Sequence, residues 1–241
     1  MSTSLSGQTV VVLGGSAGIG FETARAAAAA GARVIITGRS RERLDRAAAE
    51  ISVADTAVFD VADGAALDAF FGGLVGVNHV MLTAGSPHYG PLLQMTSDEI
   101  RTAMSDHVIT AISVARHAKQ RVRQGGSLTL MGGTGARRVA PGLGLASALT
   151  AAMPPLTATL ALELAPVRVN LIAAGFVDTP LSATLLGDQL EQRRQQLRDT
   201  LPIGRVVGPA DVAALAAQLM TNTALTGATF DIDGGQQFVD R

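Results

Sequence analysis

Leu13-Gly14-Gly15-Ser16-Ala17-Gly18-Ile19-Gly20 is the stretch on which the fold turns. It follows Thr9-Val10-Val11-Val12, a β-branched run that reads as a buried strand. Phe21-Glu22-Thr23-Ala24-Arg25-Ala26 and four more alanines read as a helix, closed by Gly31. Strand, glycine turn and helix together place phosphate at a helix N-terminus. Gly14 permits the tight turn, while Gly18 and Gly20 let backbone and helix approach a pyrophosphate facing free N–H groups. The stretch therefore points to a nucleotide.

Composition bounds the rest. The chain has 241 residues, enough for one domain with a large core. A net charge of -1 with no basic block argues against nucleic acid. Aromatics at 3% argue against a base-stacking surface. The hydrophobic 47% is spread through alanine and valine, and no long uninterrupted apolar run predicts a membrane span. Met1 to Leu5 lacks the charged and apolar regions of a signal peptide. With no cysteine there are no disulfides or thiolate ligands, which suits a reducing cytoplasm, and no metal is called for.

Strand-like and helical runs alternate after the first turn. Strands are expected at 33–37, 57–61, 79–82, 127–131, 167–172 and 229–232. Ser40 is expected to cap a helix ending at Ile51, and Ala65 to Leu74 forms another. Ile100, Ala103, Met104, His107, Val108, Ala111 and Ala115 share one helical stripe. Asp98-Glu99 reads as first-turn charge on that helix. This alternation predicts an α/β domain with a parallel sheet covered on both faces. Leu181 to Thr200, rich in Leu, Gln and Arg, interrupts the pattern as one or two helices outside the sheet. Segment 181–206 is either a connecting surface element or a lid over the site.

These landmarks, in this order, resemble the short-chain dehydrogenase/reductase family over nearly the whole chain. The family's T-G-x-x-x-G-x-G motif is here residues 13–20, with Leu13 in place of threonine. Asp60-Val61 looks like the pair that contacts adenine, and Thr83-Ala84-Gly85 like the end of N-N-A-G. Leu160 to Asn170 resembles the family's helix-to-strand segment. Ala174-Gly175-Phe176-Val177-Asp178-Thr179 resembles P-G-x-V-x-T, and Pro202 to Arg205 and Asp231 to Gly235 complete the series. The resemblance implies a Rossmann-type, doubly wound, seven-stranded sheet of order 3-2-1-4-5-6-7 in a single domain over residues 1–241. It implies a homotetramer or dimer. It also implies a cofactor held by Gly14, Ser16, Gly18, Ile19, Gly20, Asp60, Val61, Thr83, Ala84 and Gly85, with the nicotinamide near Gly175, Val177 and Thr179.

The end of the second strand selects the cofactor. An acidic side chain there binds the ribose hydroxyls of NAD and repels a 2′-phosphate. This chain has Thr37-Gly38-Arg39-Ser40 instead. Arg39 can fork onto a phosphate, and Ser40 begins a helix whose N-terminus favours an anion. NADP(H) is therefore the expected cofactor.

The family's chemistry uses a tyrosine with a lysine four residues on, a positioning serine and a supporting asparagine. This chain holds one tyrosine, Tyr89, and one lysine, Lys119, which are not four apart. Counting back from Glu163 puts Ala146 and Thr150 in the pair's places, Gly133 in the serine's and His107 in the asparagine's. Pro154-Pro155 then falls where the family has a continuous helix, so a break or kink is expected. His107 and Tyr89 are the candidate proton donors, each against the plainer reading of a core histidine and a loop tyrosine. Thr150 is left a ribose hydrogen bond without the lysine's charge. Thr134 and Ser147 lie one residue beyond vacated positions and are poor acids. Arg137-Arg138 is either an anchor for an acidic substrate or a solvated pair.

Two functions compete. One is NADP(H)-dependent hydride transfer to a small carbonyl, imine or activated alkene with non-standard proton delivery. The other is a non-catalytic NADP(H)-binding sensor or partner subunit. Neither reading involves nucleic acid or a membrane.

Overall fold

The computed structural model describes residues 4–53, 55–137 and 140–239. Seven strands form one sheet: β1 (Thr9–Leu13), β2 (Arg33–Gly38), β3 (Asp55–Val58), β4 (Val77–Leu82), β5 (Val122–Gly133), β6 (Arg168–Ala174) and β7 (Thr229–Ile232). Their order is β3-β2-β1-β4-β5-β6-β7, and every pair is parallel. The helices are α1 (Gly18–Ala29), α2 (Arg41–Ile51), α3 (Gly64–Gly72), α4 (Ser97–Met104), α5 (Thr110–Arg121), α6 (Gly144–Glu163), α7 (Pro180–Leu186), α8 (Leu190–Thr200), α9 (Pro209–Thr221) and α10 (Gln236–Val239). This is the doubly wound sheet expected from the sequence.

Alternation along each strand builds a core on both faces. Val11, Leu13, Val80, Leu82, Leu128 and Leu130 pack with α3, α5 and α6. Val10, Val12, Ile36, Met81 and Ile172 pack with α1, α2 and α9. Burying a Val, Leu or Ile side chain contributes about 1.5–3 kcal/mol, so two continuous apolar layers dominate the stability.

Several element bounds differ from expectation for identifiable reasons. β3 ends at Val58 rather than at 61. Phe59 N donates to the Gly38 carbonyl at 3.1 Å, and Asp60 Oδ1 then accepts from Ala62 N at 3.0 Å. That Asx turn lifts Asp60-Val61 out of the sheet toward the cleft. The stripe at 100–115 is not one regular helix, because a π-helical turn at Ser105–Ile109 joins α4 to α5. Thr110 Oγ1 donates to the Ser105 carbonyl at 2.8 Å and supports the wide turn.

Pro154 and Pro155 do not break α6, which runs through them. The inner face, including Leu145, Leu149, Met153 and Leu160, stays buried, while Ala151 and Pro155 face outward. The Ala151 carbonyl that loses its donor to Pro155 is thus open to water. α6 is also, among the described residues, the one helix long and apolar enough to cross a membrane. Its buried residues belong to the core layer against β5 and β6.

The edge of the sheet opposite the glycine turn holds a buried polar lock. His79 Nε2 lies 2.6 Å from Gln8 Oε1, and its Nδ1 lies 2.8 Å from Ser127 Oγ. Arg168 donates to the carbonyls of Leu219, Met220 and Asn222 and so caps the end of α9. Burial, with the charge of Arg168, pushes the His79 pKa down to about 4. The unfolded chain therefore binds this proton first as pH falls. Stability present above about pH 6.5 is lost progressively down to about pH 4, by roughly 3 kcal/mol in total. Urea melts from pH 7 to pH 4 are expected to show this loss, and His79→Gln is expected to flatten it. An equal slope in both proteins would remove His79 as its cause.

Candidate functional site

The strands end C-terminally on a cleft with two connected cavities. One of ≈ 270 Å³ is bounded by the glycine turn, the β2–α2 junction and the segment after β3. The other, of ≈ 510 Å³, lies over the ends of β5 and β6 and under α7 and α8. Thr83, Ala84, Gly85, Ser86 and Leu181 border both.

The smaller cavity gathers Gly14, Ser16, Arg39, Ser40, Asp60 and Val61. Gly14 has φ 95°, and a Cβ there would lie 2.7 Å from the Ala84 amide nitrogen. A Cβ on Gly20 would lie 2.5 Å from Thr83 Oγ1 and overlap the Gly14 carbonyl oxygen. Gly18 takes φ 55° and lies beside Thr179. α1 starts at Gly18 itself, and its N-cap residue Ala17 supplies no side-chain hydrogen bond. The first-turn N–H groups of α1 thus have no side-chain cap from Ala17, and Ile19 of that turn lines the larger cavity.

At the end of β2, Ser40 caps α2 by accepting from Arg43 N at 3.3 Å. Arg39 and Arg43 both line the cavity. Arg39 lies 3.7 Å from Asp60, and both side chains are largely exposed, so this pair is weak and screened. Sequence reasoning missed Arg43. Its signal was available: it sits three residues after the helix cap, on the same first turn.

The larger cavity brings Ile19, His107, Tyr89, Thr150, Gly175, Val177 and Thr179 together. Gly133, Ala146 and Thr150 form the wall where the resemblance places serine, tyrosine and lysine. Thr150 Oγ1 donates to the Ala146 carbonyl at 2.8 Å. Its proton is spent on its own helix, which leaves it an acceptor only. Thr134 and Ser147 also line this wall.

The π turn places adjacent residues on different cavities: Asp106 borders the smaller and His107 the larger. His107 Nε2 lies 3.1 Å from the Ser86 carbonyl, to which it donates. Burial holds the His107 pKa below its usual value, with the neighbouring His88 also lowering it, against the raising effects of the Ser86 bond and Asp106. His88 Nε2 in turn lies 3.1 Å from Asp106 Oδ2. At neutral pH His107 is a neutral ring whose one N–H is already used. Tyr89 lies at the mouth and is 55% exposed.

The loop after β6 is braced from three sides. Val177 bridges to Val207, and Gln236 Oε1 accepts from Phe176 N at 2.8 Å. Arg194 forks onto Asp178 at 2.8 and 2.9 Å, tying α8 to the loop. Leu181, Ser182, Leu185, Leu186 and Arg193 line the larger cavity from α7 and α8. Arg137 is not there: it pairs with Asp231 at 2.5 Å and with Gln237. Arg138 lies outside the described residues.

A family model described as Enoyl-(Acyl carrier protein) reductase matches residues 14–237. The chain belongs to the short-chain dehydrogenase/reductase family. Short-chain dehydrogenase/reductase malC of Malbranchea aurantiaca is 26% identical, covering 96% of this chain and 95% of its own. A dehydrogenase/reductase from Sinorhizobium meliloti 1021 superposes with TM-score 0.87 at 31% identity, covering 97% of this chain and 96% of that one. A small-chain dehydrogenase in complex with NADPH superposes with TM-score 0.82 at 27% identity, covering 96% and 99%. The chain is accordingly an oxidoreductase of the kind that uses a nicotinamide cofactor.

Gly20→Ala tests the cradle. The overlap with Gly14 forces α1 away from β1, at a cost of about 1–3 kcal/mol. A lower melting temperature and at least tenfold weaker nicotinamide nucleotide binding are expected. An unchanged melt and affinity would contradict the steric account.

Proposed function

We propose that this protein is an NADP(H)-dependent oxidoreductase that delivers hydride to a small carbonyl, imine or activated alkene without a tyrosine acid. The observation that carries this is a contrast within one cleft. The nucleotide half keeps its glycines and adds Arg39, Ser40 and Arg43, while Gly133, Ala146 and Thr150 offer no ionisable group. The solved relative with bound NADPH supports the choice of cofactor.

The cleft fits the cofactor because Gly14 lines it and the lack of a Cβ at Gly14 and Gly20 lets α1 close onto β1 and β4, which sets the start of α1 beside the cavity. Gly14, Ser16, Gly18, Ile19 and Gly20 would hold the pyrophosphate. Arg39, Ser40 and Arg43 would hold a 2′-phosphate, with Asp60 and Val61 at the adenine. Thr83, Ala84 and Gly85 would line the central stretch. Thr150, Gly175, Val177 and Thr179 would hold the ribose and nicotinamide. NADPH bound there supplies a hydride.

This chain's residues then orient the acceptor and exclude water. Orientation is the larger contribution: well-held reactants reach effective molarities of about 10⁵–10⁸ M, against about 10²–10⁴-fold from a general acid. An acceptor that tolerates late protonation loses least. An activated alkene meets that condition, since its α-carbon can take a proton from water after hydride arrives. An iminium meets it too, since its carbon carries positive charge before hydride arrives. Leu181 to Leu186 and Arg193 form the lid of this reading, within 181–206. Association into dimers or tetramers through α5 and α6 belongs to it as well, with Ile109 and Leu162 presenting apolar side chains outward.

The test is NADPH oxidation, followed at the nicotinamide band, with ketones, imines and enones. Enone turnover exceeding ketone turnover is expected. Tight NADPH binding with no turnover on any of them would favour the sensor or partner-subunit reading instead. His107 donates only when protonated, and burial holds its pKa below the ordinary imidazole value, so the rate is expected to rise only as pH falls below that value, and His107→Ala to abolish that rise. A rise that survives the substitution would remove His107 from proton delivery.

A further inference from the structure

The π turn leaves His107 with one ring nitrogen engaged and one open. Nε2 lies 3.1 Å from the Ser86 carbonyl. A carbonyl only accepts, so the single proton of the neutral ring sits on Nε2 and Nδ1 carries a lone pair. Nδ1 has no hydrogen-bond partner among the described residues, and it is not one of their sealed, unpartnered polar atoms. It is therefore an accessible acceptor on a ring that lines the larger cavity. The ring is held in that orientation. His88 packs edge-on against it with centroids 6.3 Å apart, and Asp106 Oδ2 fixes His88 at 3.1 Å.

The wall at 133, 146 and 150 has the same polarity. Thr150 Oγ1 donates to the Ala146 carbonyl at 2.8 Å and is left to accept from the cavity side. Gly133 and Ala146 bring no side-chain donor, and Thr134 is all but buried. A carbonyl oxygen in this position calls for a donor. A hydroxyl calls for an acceptor, and His107 supplies one. Leu143, Met153, Phe176 and Leu185 add apolar surface, which suits a compact apolar body around that hydroxyl.

We propose that His107 Nδ1 accepts the hydroxyl hydrogen of a compact apolar alcohol in the larger cavity and, with NADP⁺ in the cleft, takes that proton as the alcohol is oxidised. The O–H bond breaks and its proton goes to Nδ1. The carbinol C–H bond breaks, its hydride reduces NADP⁺, and the C–O bond becomes a carbonyl. The imidazolium then returns its proton to water. This makes His107 a catalytic residue of the oxidative direction, in place of the absent tyrosine, and it rests on the oxidoreductase reading above. The charged and titratable groups around His107 are His88 after β4, Asp106 on the π turn, and Tyr89 and Arg193 on the cavity; α6 brings none among the described residues. Burial holds His107 below the ordinary imidazole value. The neutral ring therefore dominates from that value upward, where oxidation is flat, and oxidation falls as pH drops below it. Reduction through the same ring has the opposite slope.

The experiment pairs binding with turnover. NADPH-saturated protein, in which an alcohol cannot react, is titrated calorimetrically near neutral pH with 1-indanol and with 1-methoxyindane, which lacks the O–H. The alcohol is expected to bind at least tenfold more tightly. His107→Leu is expected to remove that preference, and His107→Asn, which keeps an acceptor oxygen, to retain part of it. NADP⁺ reduction by 1-indanol is then followed against pH. The native chain is expected to show the acid-side fall, and His107→Asn to lose it together with about a hundredfold or more of the plateau rate. Equal affinities for alcohol and ether, no alcohol binding at about 10 mM, or a preference that survives His107→Leu would overturn the acceptor. Tight alcohol binding without NADP⁺ reduction, or an acid-side fall unchanged in His107→Asn, would overturn the base. If His107→Leu fails to fold, the native alcohol-to-ether ratio and the His107→Asn profile decide. Affinity for NADP⁺ and NADPH is measured first. Its failure strikes the cofactor reading, and alcohol and ether are then compared on the protein alone.

Discussion

The close approach of α1 to β1 and β4 is the constraint on which the cleft depends. Gly20 lies under the Gly14 carbonyl and beside Thr83 Oγ1, with no room for a methyl group. Thr83 Oγ1 donates to the Leu13 carbonyl at 2.9 Å, so β4 is sewn to the same turn. Gly14 and Gly15 both donate to the Thr37 carbonyl, which brings in β2. Three strand ends and one helix start thus meet within a few ångströms. The uncapped N–H groups of α1 and the arginines after β2 face the cleft only because this junction is closed.

From that junction the two halves of the cleft diverge. The nucleotide half concentrates donors and positive charge: a helix N-terminus, a capped α2, and Arg39 with Arg43. The chemical half has small residues at Gly133 and Ala146, and Thr150 turned back onto its own helix. His107 is neutral and committed to Ser86. The cavity itself is kept, with no ionisable group at 133, 146 or 150. A reaction run in such a site has to draw on positioning and on the substrate's own electronics.

Much of this was legible in the chain. The β-branched runs marked the strands, because parallel strands buried on both faces leave a strong apolar signal, while the strand order followed from the family resemblance. Ser40 as a helix cap follows from side-chain chemistry alone. The departures have local causes that periodicity does not carry. Asp60 turns the chain out of β3 through its own carboxylate. The π turn at Ser105–Ile109 adds one residue to a helical pattern that looks regular on paper. Pro154-Pro155 removes two helix donors, one at the Ala151 carbonyl on the exposed face and one at the Thr150 carbonyl on the half-buried side that lines the cavity, and α6 continues through both. Arg193 and the Asp178–Arg194 fork come from a segment of Leu, Gln and Arg with no distinctive spacing. Their importance appears only once α8 is placed over the cavity.

The central claim is that the intact half of the cleft is built for a phosphorylated nicotinamide nucleotide. Equilibrium titration with NADPH and NADH, on the native chain and on an Arg39→Ala/Arg43→Ala double variant, tests it most directly. The account predicts NADPH binding at least tenfold tighter than NADH, about 1.4 kcal/mol, with the difference lost in the variant. NADH binding as tightly as NADPH, or a preference that persists without both arginines, would contradict it.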